Sequence, residues 1–325
     1  MLTQAVALLR ALRIDEWWSS KLTFVLSAFL VSQIGEHSRN LGALDLLAYL
    51  AFAALLLAFG YALNDWCDRS FDAAVGKRGA IGSLARWQAS VLLALLTVAP
   101  LATLIGQPWI CVAIGGVALI AAAAYSAPPL RLKTKGAFGV LVAAFAQRTA
   151  PCLVVFAAGA QVLSPTGILF LALTLVVGVR WMLLHQIGDV AGDAHAGVPT
   201  FVCSVGVDRA RRWPPRLVLC ELVLVVAATI CLPHRWAVVA ALCVFAVATW
   251  SLSSAEGSSV RRYLASAGDD YGVLADLYYL YWPLGLIGAF AFMEPMVAGW
   301  CLLALIAIAI RPIAQHLREV AHAIS

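Results

Sequence analysis

Charged residues are scarce in this sequence. Only 12% of its 325 residues are charged, whereas 63% are hydrophobic. A soluble domain carries about 25% charged residues, so the composition excludes a disordered chain and an ordinary cytosolic enzyme. The eight cysteines lie mostly within apolar stretches and lack the spacing of metal ligands. They therefore indicate neither a disulfide-stapled secreted module nor a cysteine metal site, and we expect an integral membrane protein.

We also expect no cleavable signal peptide at residues 2–18. Residues 2–18 alternate apolar and charged positions, whereas a signal peptide has an apolar run that ends in small residues. An interfacial amphipathic helix over residues 1–20, leading into the first membrane span, fits this alternation better.

Apolar stretches long enough to cross a bilayer fill most of the chain. A hydrocarbon core of about 30 Å needs a helix of about 20 apolar residues. We count ten such spans, at 22–37, 42–64, 88–106, 108–125, 137–160, 166–188, 214–232, 235–254, 273–292 and 295–310. The second pair of spans, 88–106 and 108–125, and the last pair, 273–292 and 295–310, are each joined by such a tight turn that either pair could form one re-entrant unit. We therefore predict an all-α, polytopic transmembrane bundle of about nine or ten helices, forming a single membrane domain over residues 1–325.

The basic residues indicate the orientation of these spans. With ten spans and both termini on one side, that side holds 18 of the 22 Lys and Arg residues, and the opposite side holds only Arg39 and Arg235. The side richer in Lys and Arg is normally cytoplasmic, so we expect both termini in the cytoplasm. The net charge of +5 thus reflects topology, and no nucleic-acid partner is needed to explain it.

A polar motif occurs twice in the sequence, at a constant offset of 121 residues. The two copies are Asn64-Asp65-x-x-Asp68-x-x-x-Asp72-x-x-x-Gly76 and His185-Gln186-x-x-Asp189-x-x-x-Asp193-x-x-x-Gly197. We place them in cytoplasmic loops at 64–86 and 185–213. The spans before them run in the same direction, so two pseudo-repeated halves would bring the motifs face to face across a central cavity.

The carboxylates of each motif indicate a metal site. Their spacing keeps them on one stripe of a helix, where like charges repel and a bound cation is favoured. Magnesium takes oxygen ligands and usually binds through carboxylates together with substrate phosphates. The predicted metal ligands are Asp65, Asp68, Asp72, Asp189 and Asp193.

Basic residues that could hold a phosphate follow the fourth span, in the segment Tyr125-Ser-Ala-Pro-Pro-Leu-Arg131-Leu-Lys133-Thr-Lys-Gly136. Two prolines end the helix and stiffen the turn. We predict that Arg131 or Lys133 holds a phosphate opposite the carboxylates, with simple positive-inside anchoring as the alternative. Arg148, within the fifth span, is costly in a membrane and is expected to face the cavity beside Gln147 or to snorkel.

Together the three segments resemble the UbiA superfamily of intramembrane prenyltransferases. Its pattern combines N-D-x-x-D-x-x-x-D, Y-S-x-x-P-x-R-L-K-x-x-G and D-x-x-x-D-x-x-x-G-x-x-T, which correspond here to Asn64–Asp72, Tyr125–Gly136 and Asp189–Thr200. The order and spacing of the three motifs, and the side of the membrane on which they lie, agree with the family pattern over residues 64–200.

The chain also departs from the family pattern. Members commonly have an R-P pair after the first motif, where Lys77 or Arg78 would have to supply the charge here. A Tyr often precedes the second motif, where this chain has His185-Gln186, and nine spans are usual. These differences leave the donor and the acceptor open.

The resemblance implies transfer of an isoprenyl group from a prenyl diphosphate to an aromatic or other lipophilic acceptor within membrane lipid. Two Mg²⁺ ions held by the aspartates would neutralise the diphosphate. The implied catalytic residues are Asp65, Asp68, Asp189 and Tyr125, the last as an aromatic face near an allylic cation. The implied diphosphate-binding residues are Asn64, Lys77, Arg78, Arg131, Lys133, Arg148 and Gln186.

Three other functions remain open at the level of sequence. A polyprenyl-phosphate phosphoribosyltransferase is supported by a faint similarity of the segment that contains Arg13, Trp17 and Lys21. A terpene cyclase would release diphosphate with no acceptor. A transporter is disfavoured because the carboxylates lie at helix ends on one side. Prenyl length, acceptor identity and oligomeric state do not follow from the sequence.

Overall fold

Ten long helices make up most of the part of the protein that the structure describes. The computed structural model describes residues 12–35, 38–74, 81, 84–255 and 258–324, and within these the side chains except those of 70–74, 255 and 319–324. The helices are α1 (Ile14–Ile34), α2 (Ala43–Ala74), α3 (Arg86–Ala102), α4 (Trp109–Ser126), α5 (Gly136–Ala158), α6 (Pro165–His195), α7 (Trp213–Ile230), α8 (Trp236–Ala255), α9 (Leu277–Ala291) and α10 (Pro295–Ile324). No strand occurs in the ranges just given, and the predicted all-α bundle is confirmed.

Among the described residues, seven helices are long and apolar enough to cross a membrane, namely α2, α4, α5, α6, α7, α8 and α10. The shorter apolar helices α3 and α9 also coincide with predicted spans. The first predicted span, 22–37, is part of α1, which begins earlier, at Ile14. Residues 1–11 of the predicted interfacial helix lie outside the described residues.

The two aspartate motifs lie at the ends of α2 and α6. Both helices continue past the predicted spans, to Ala74 and His195, so each predicted motif loop begins as the last turns of a helix. Segments 75–80 and 82–83 of the first loop are outside the described part of the chain.

Helix α1 is the central element of the bundle. It packs against α2, α5, α9 and α10, and its residues are buried almost continuously from Ser20 to Ile34. Helix α5, which contacts α1, also packs closely on α6. Gly178 of α6 lies against Ala144 of α5, where a Cβ at Gly178 would be only 2.9 Å from the Ala144 Cβ. This close contact forms one wall of an internal cavity.

Candidate active site

A cavity of about 330 Å³ lies between α1, α2, α4, α5 and α6. Small residues form much of its wall: Gly60, Ala122, Ala143, Ala144, Ala146 and Gly178. Four aromatic residues, Tyr61, Tyr125, Trp181 and Tyr271, also line it, together with the polar residues Arg13, Glu16, Lys21, Asn64, Gln147, Arg148 and His185. The cavity is therefore apolar and aromatic, with a few polar groups that converge on it, as is typical of small-molecule sites.

The first aspartate motif is surrounded by basic side chains. The Arg13 guanidinium lies 3.2 Å from the Asp65 carboxylate, which is largely buried. Burial opposes the charge of Arg13, but the hydrogen bond to Glu16 and the charges of Glu16 and Asp65 outweigh it and raise the pKa of Arg13. This arginine is therefore charged at any physiological pH.

The loop between α4 and α5 places two more basic side chains on the same motif. Arg131 pairs with Asp68 at 3.0 Å, and Lys133 donates a hydrogen bond to the other oxygen of the same carboxylate. Asn64, one turn before Asp68, accepts hydrogen bonds from Ser126 at 3.2 Å and from Lys133 at 3.4 Å. The structure thus places Arg131 and Lys133 against the first motif, and their role in holding a phosphate stays a prediction.

The geometry of this loop depends on unusual backbone conformations. Arg131 has a left-handed backbone with φ 40°, which costs a non-glycine residue energy, and its amide donates to the Ala127 carbonyl at 2.9 Å. Gly139 lets the loop rest on α5, because a Cβ there would lie 2.2 Å from the Leu132 carbonyl oxygen. Both features keep Arg131 and Lys133 against α2.

The second aspartate motif is more exposed. The Asp189 side chain is 45% exposed, and its partner is His185, one turn earlier, at 3.4 Å. Asp193 lies one turn further on and is half-buried. Gln186 is buried, and its side-chain oxygen accepts a hydrogen bond from the Val202 amide at 3.2 Å. Gln186 thus connects α6 to the short helix Phe201–Val205.

Tyr125 and Lys133 lie between the two motifs. The Tyr125 hydroxyl is within range of the charges of both Asp68 and Asp193, and Lys133, which binds Asp68, also acts on Asp193. Carboxylates of both motifs therefore lie near Tyr125 and Lys133. Tyr125 lines the cavity and contacts Met182 through its hydroxyl, at 3.7 Å.

Oxygen donors suited to magnesium are present, although no metal geometry is formed. Asn64, Asp65 and Asp68 present amide and carboxylate oxygens at the cavity end, which are the ligands Mg²⁺ prefers. In the described part of the chain no three His, Cys, Asp or Glu side chains form a group that could hold a metal ion. The donor chemistry of these three residues fits magnesium.

Three predicted site residues cannot be placed. The Asp72 side chain, Lys77 and Arg78 lie outside the described residues. The metal role of Asp72 and the diphosphate role of Lys77 and Arg78 therefore stay predictions.

The sequence comparison decides the family. The UbiA prenyltransferase family matches residues 21–262. The chain belongs to this family. No curated protein matches the chain.

Solved structures of UbiA proteins share the fold. A UbiA homolog from Archaeoglobus fulgidus bound to DMAPP and Mg²⁺ is 15% identical, with a TM-score of 0.58 over 97% of this chain and 99% of that one. The same homolog bound to GPP and Mg²⁺ is 16% identical, with a TM-score of 0.60 over 89% and 99%. A structure reported in work on digeranylgeranylglyceryl phosphate synthase in membranes is 15% identical. Its TM-score is 0.54, and the match covers 95% of this chain and 99% of that one.

Membership in the UbiA family confirms the resemblance that the three motifs indicated. Membership in this family, together with the apolar helices, supports a membrane-embedded prenyltransferase. Family membership does not identify the acceptor or the exact reaction.

The two arginines within spans have different environments. Arg180 is fully buried and forms a bidentate ion pair with Glu221 at 2.6 and 2.9 Å, and Tyr278 donates to the same carboxylate at 2.9 Å. Arg148 lines the cavity, where its guanidinium lies over the rings of Phe24 and Trp181 at 4.9 and 4.8 Å. Only Arg148 is therefore a candidate for ligand binding.

Several cavity residues were not predicted from the sequence as site residues. Arg13, Glu16 and Lys21 precede the recognised motifs, and Tyr271 lies in the segment before α9. Tyr271 packs edge-on against Trp181 at 5.3 Å, and burial raises the pKa of its phenol. For Arg13 and Lys21 the sequence contained a signal, because basic residues next to an apolar segment are expected to bind an acidic or polar group. Tyr271 gave none.

Proposed function

We propose that this UbiA-family protein transfers an isoprenyl group from a prenyl diphosphate to a lipophilic acceptor and requires Mg²⁺ to do so. One observation carries the proposal: an apolar, aromatic cavity inside the bundle ends at a cluster in which Asp65 and Asp68 alternate with basic side chains. Such a site suits a substrate with an apolar chain and a strongly anionic head.

The aspartates of both motifs are the proposed metal ligands: Asp65, Asp68, Asp72, Asp189 and Asp193. When bound, magnesium would neutralise the charge that develops on the leaving diphosphate. Asn64 and Gln186 would add amide groups at the same place. The proposed number of ions is two, one for each motif.

Basic residues are proposed to hold the phosphates directly. Arg131 and Lys133 already contact Asp68 and lie beside Asn64, so a diphosphate at this position would meet both. An arginine fork suits phosphate oxygens, and a lysine supplies a compact charge. Lys77 and Arg78 are proposed to add charge from the loop after α2.

The cavity walls are proposed to protect and stabilise the reacting carbon. Breaking the bond between C1 of the prenyl group and the diphosphate oxygen leaves positive charge on the allylic carbons. The ring faces of Tyr125, Tyr61 and Trp181 can stabilise such charge. Small apolar residues on α5 and α6 exclude water that would otherwise capture the cation.

We also propose that the site faces the cytoplasm, with both termini on that side. The connections on the site's side contain most of the basic residues, whereas the opposite turns, such as 103–108 and 292–294, are short. This asymmetry is that of the positive-inside rule.

A phosphoribosyl donor with a polyprenyl-phosphate acceptor is the second candidate. One observation favours it: Arg13 and Lys21, from the segment with faint similarity to that branch, both line the cavity. Cyclisation of the donor is the third candidate and would proceed with no acceptor.

The decisive experiment is an assay of the purified full chain in lipid with Mg²⁺ and prenyl diphosphates of increasing length. A membrane lipid extract serves as acceptor pool, and products are identified by mass spectrometry. We expect a prenylated product, loss of turnover on chelation of Mg²⁺, and loss of turnover in Asp68→Asn.

The exposed Asp208 on the same side of the protein provides a matched control, Asp208→Asn, which should retain full turnover. Turnover only with a phosphoribosyl diphosphate would favour the second candidate, and diphosphate release without any acceptor would favour cyclisation. Normal turnover in Asp68→Asn would contradict the assignment of the site.

A further inference from the structure

Two basic side chains lie deep in the cavity without a carboxylate beside them. Lys21 is 7% exposed and Arg148 is 3% exposed. No acidic side chain in the described ranges lies within 4.0 Å of either basic group. Arg180 of the same bundle, by contrast, is neutralised by Glu221 at 2.6 Å. The fold therefore compensates one buried arginine and leaves Lys21 and Arg148 facing the cavity.

The Lys21 amine is held by neutral groups. Its Nζ donates one hydrogen bond to the Tyr61 hydroxyl at 2.8 Å and another to the Gln147 side-chain oxygen. A neutral amine has two N–H bonds and one lone pair, so these two contacts use both of its donors. The lone pair is then available to a molecule in the cavity that Lys21 lines.

Arg148 determines which of the two groups carries the charge. An arginine in a protein does not lose its proton, and Arg148 also donates to the Ser20 carbonyl at 2.7 Å. Lys21 donates to Gln147, the chain neighbour of Arg148, and Arg148 donates to Ser20, the chain neighbour of Lys21, so the two basic side chains lie close together. A second positive charge in a desolvated cavity is disfavoured by burial and by repulsion, so Lys21 is the group that gives up its proton.

The other ionisable groups around Lys21 do not reverse this argument. Glu16 attracts a proton to Lys21, but it lies near the exposed end of α1 and is already paired with Arg13 at 2.6 Å. Arg13 repels a proton. The groups on the helices packed against α1 are Tyr61 and Asp65 on α2, Arg148 on α5, Arg180 on α6, Tyr278 and Tyr279 on α9, and Arg311 and His316 on α10.

We infer that Lys21 is the base that accepts the proton released when the acceptor is prenylated. The inference rests on the proposed prenyl transfer and identifies the acceptor as a molecule that loses a proton from an aromatic C–H or an O–H group. In the step, a bond forms between the acceptor atom and C1 of the prenyl group. The bond from C1 to the diphosphate oxygen breaks, with its electron pair going to the diphosphate, and the acceptor proton moves to the Lys21 Nζ.

The ionisation of Lys21 can be measured without any substrate. The chain contains four lysines, Lys21, Lys77, Lys133 and Lys135. Reductive methylation of the full chain with ¹³C-formaldehyde gives each amine an NMR signal that can be titrated, and Lys21→Met identifies the signal of Lys21. We expect Lys21 to titrate well below the ordinary range of a lysine side chain. Titration within that range, or above it, would overturn the inference.

Kinetics then test the role in transfer. Lys21→Arg keeps a donor at the position but cannot accept a proton, so we expect kcat for transfer to fall by about 10²–10⁴-fold, with the KM of the prenyl diphosphate unchanged. Lys21→Ala should lose as much and regain activity with added ethylamine. The matched control is Lys135→Arg, which we expect to be fully active.

The outcomes separate this inference from the proposed function. Lack of turnover by the unmodified protein with every prenyl diphosphate would contradict the proposed function itself. Full turnover by Lys21→Arg, beside an active unmodified protein, would contradict only the role of Lys21. A raised donor KM with unchanged kcat would also overturn it, because it would place Lys21 on the donor.

Discussion

The two aspartate motifs have the same spacing but different surroundings. In the first, the Asp65 and Asp68 side chains are 7% and 15% exposed and pair with Arg13, Arg131 and Lys133. In the second, the Asp189 side chain is 45% exposed, and its only ion pair within the described ranges is with His185. The repeat thus conserves ligand type while the surrounding charge differs.

The difference comes from the elements that pack on each motif. The loop between α4 and α5 and the residue before α1 bring basic groups to the end of α2. The end of α6 is followed instead by the short helices Phe201–Val205 and Val207–Ala210. We infer that the first motif organises the phosphates and the metal together, whereas the second contributes mainly ligand oxygens.

The largest expected effect is that of Asp68→Ala. Removal of this carboxylate deprives Lys133 and Arg131 of their shared partner and the metal of a ligand. We expect diphosphate release to fall by about 10³-fold and the midpoint of thermal unfolding to fall as well, because buried positive charge is left uncompensated. Both are measured on the purified chain, and an unchanged unfolding midpoint would remove the contrast with the second motif.

Asp189→Ala should separate activity from stability. We expect a loss of diphosphate release of about 10²-fold or more. Because the side chain is half-exposed, the free energy of unfolding should change by no more than about 0.5 kcal/mol. Thermal unfolding in detergent, followed beside the activity assay, checks both parts. A large loss of stability would show that the two motifs are equivalent.

Lys133→Met tests whether the basic groups of the first motif serve the phosphates. Loss of one charge-assisted hydrogen bond, worth about 1.5–3 kcal/mol, should raise the KM of the prenyl diphosphate by about 10–100-fold. The neighbouring, exposed Lys135 offers the control Lys135→Met, which should leave KM unchanged. A Lys133 variant with normal KM would restrict this lysine to structural pairing with Asp68.

The smallest effect is expected for His185→Gln. The contact with Asp189 joins two half-exposed groups, and such pairs contribute about 0–1 kcal/mol. We expect no more than about a fivefold change in kcat/KM. A loss comparable with that of Asp189→Ala would instead make His185 an essential partner of the second motif.

Periodicity and residue spacing predicted most of the fold. Ten apolar stretches predicted ten spans, and each overlaps a helix of the described residues because about 20 apolar residues have few alternatives in a bilayer. The start of α1 was misplaced. The ends of α2, α6 and α10 were also misplaced, because their last turns are polar and the helix backbone continues there without an apolar signal, to Ala74, His195 and Ile324.

The pairs across the cavity could not be predicted. Lys21 meets Gln147 across 126 positions, and Arg180 meets Glu221 across 41. Such contacts depend on which helices are neighbours and on their rotation, and neither follows from local sequence. Motif spacing, by contrast, is local, so Asn64, Asp68 and the loop with Lys133 could be grouped in advance through the family pattern.

One turn of α5 gives the site an additional sensitivity. Phe145–Thr149 forms a π-helical turn, and both Gln147 and Arg148 within it line the cavity. A π turn arises when one residue is inserted into a regular α-helix. Deleting one residue here would close the wide turn into a regular α-helix, which would move Gln147 and Arg148 relative to the cavity without altering the chemistry of any residue. We therefore expect relatives with altered acceptor chemistry to differ in the length of the chain at this turn more often than in the identity of its residues.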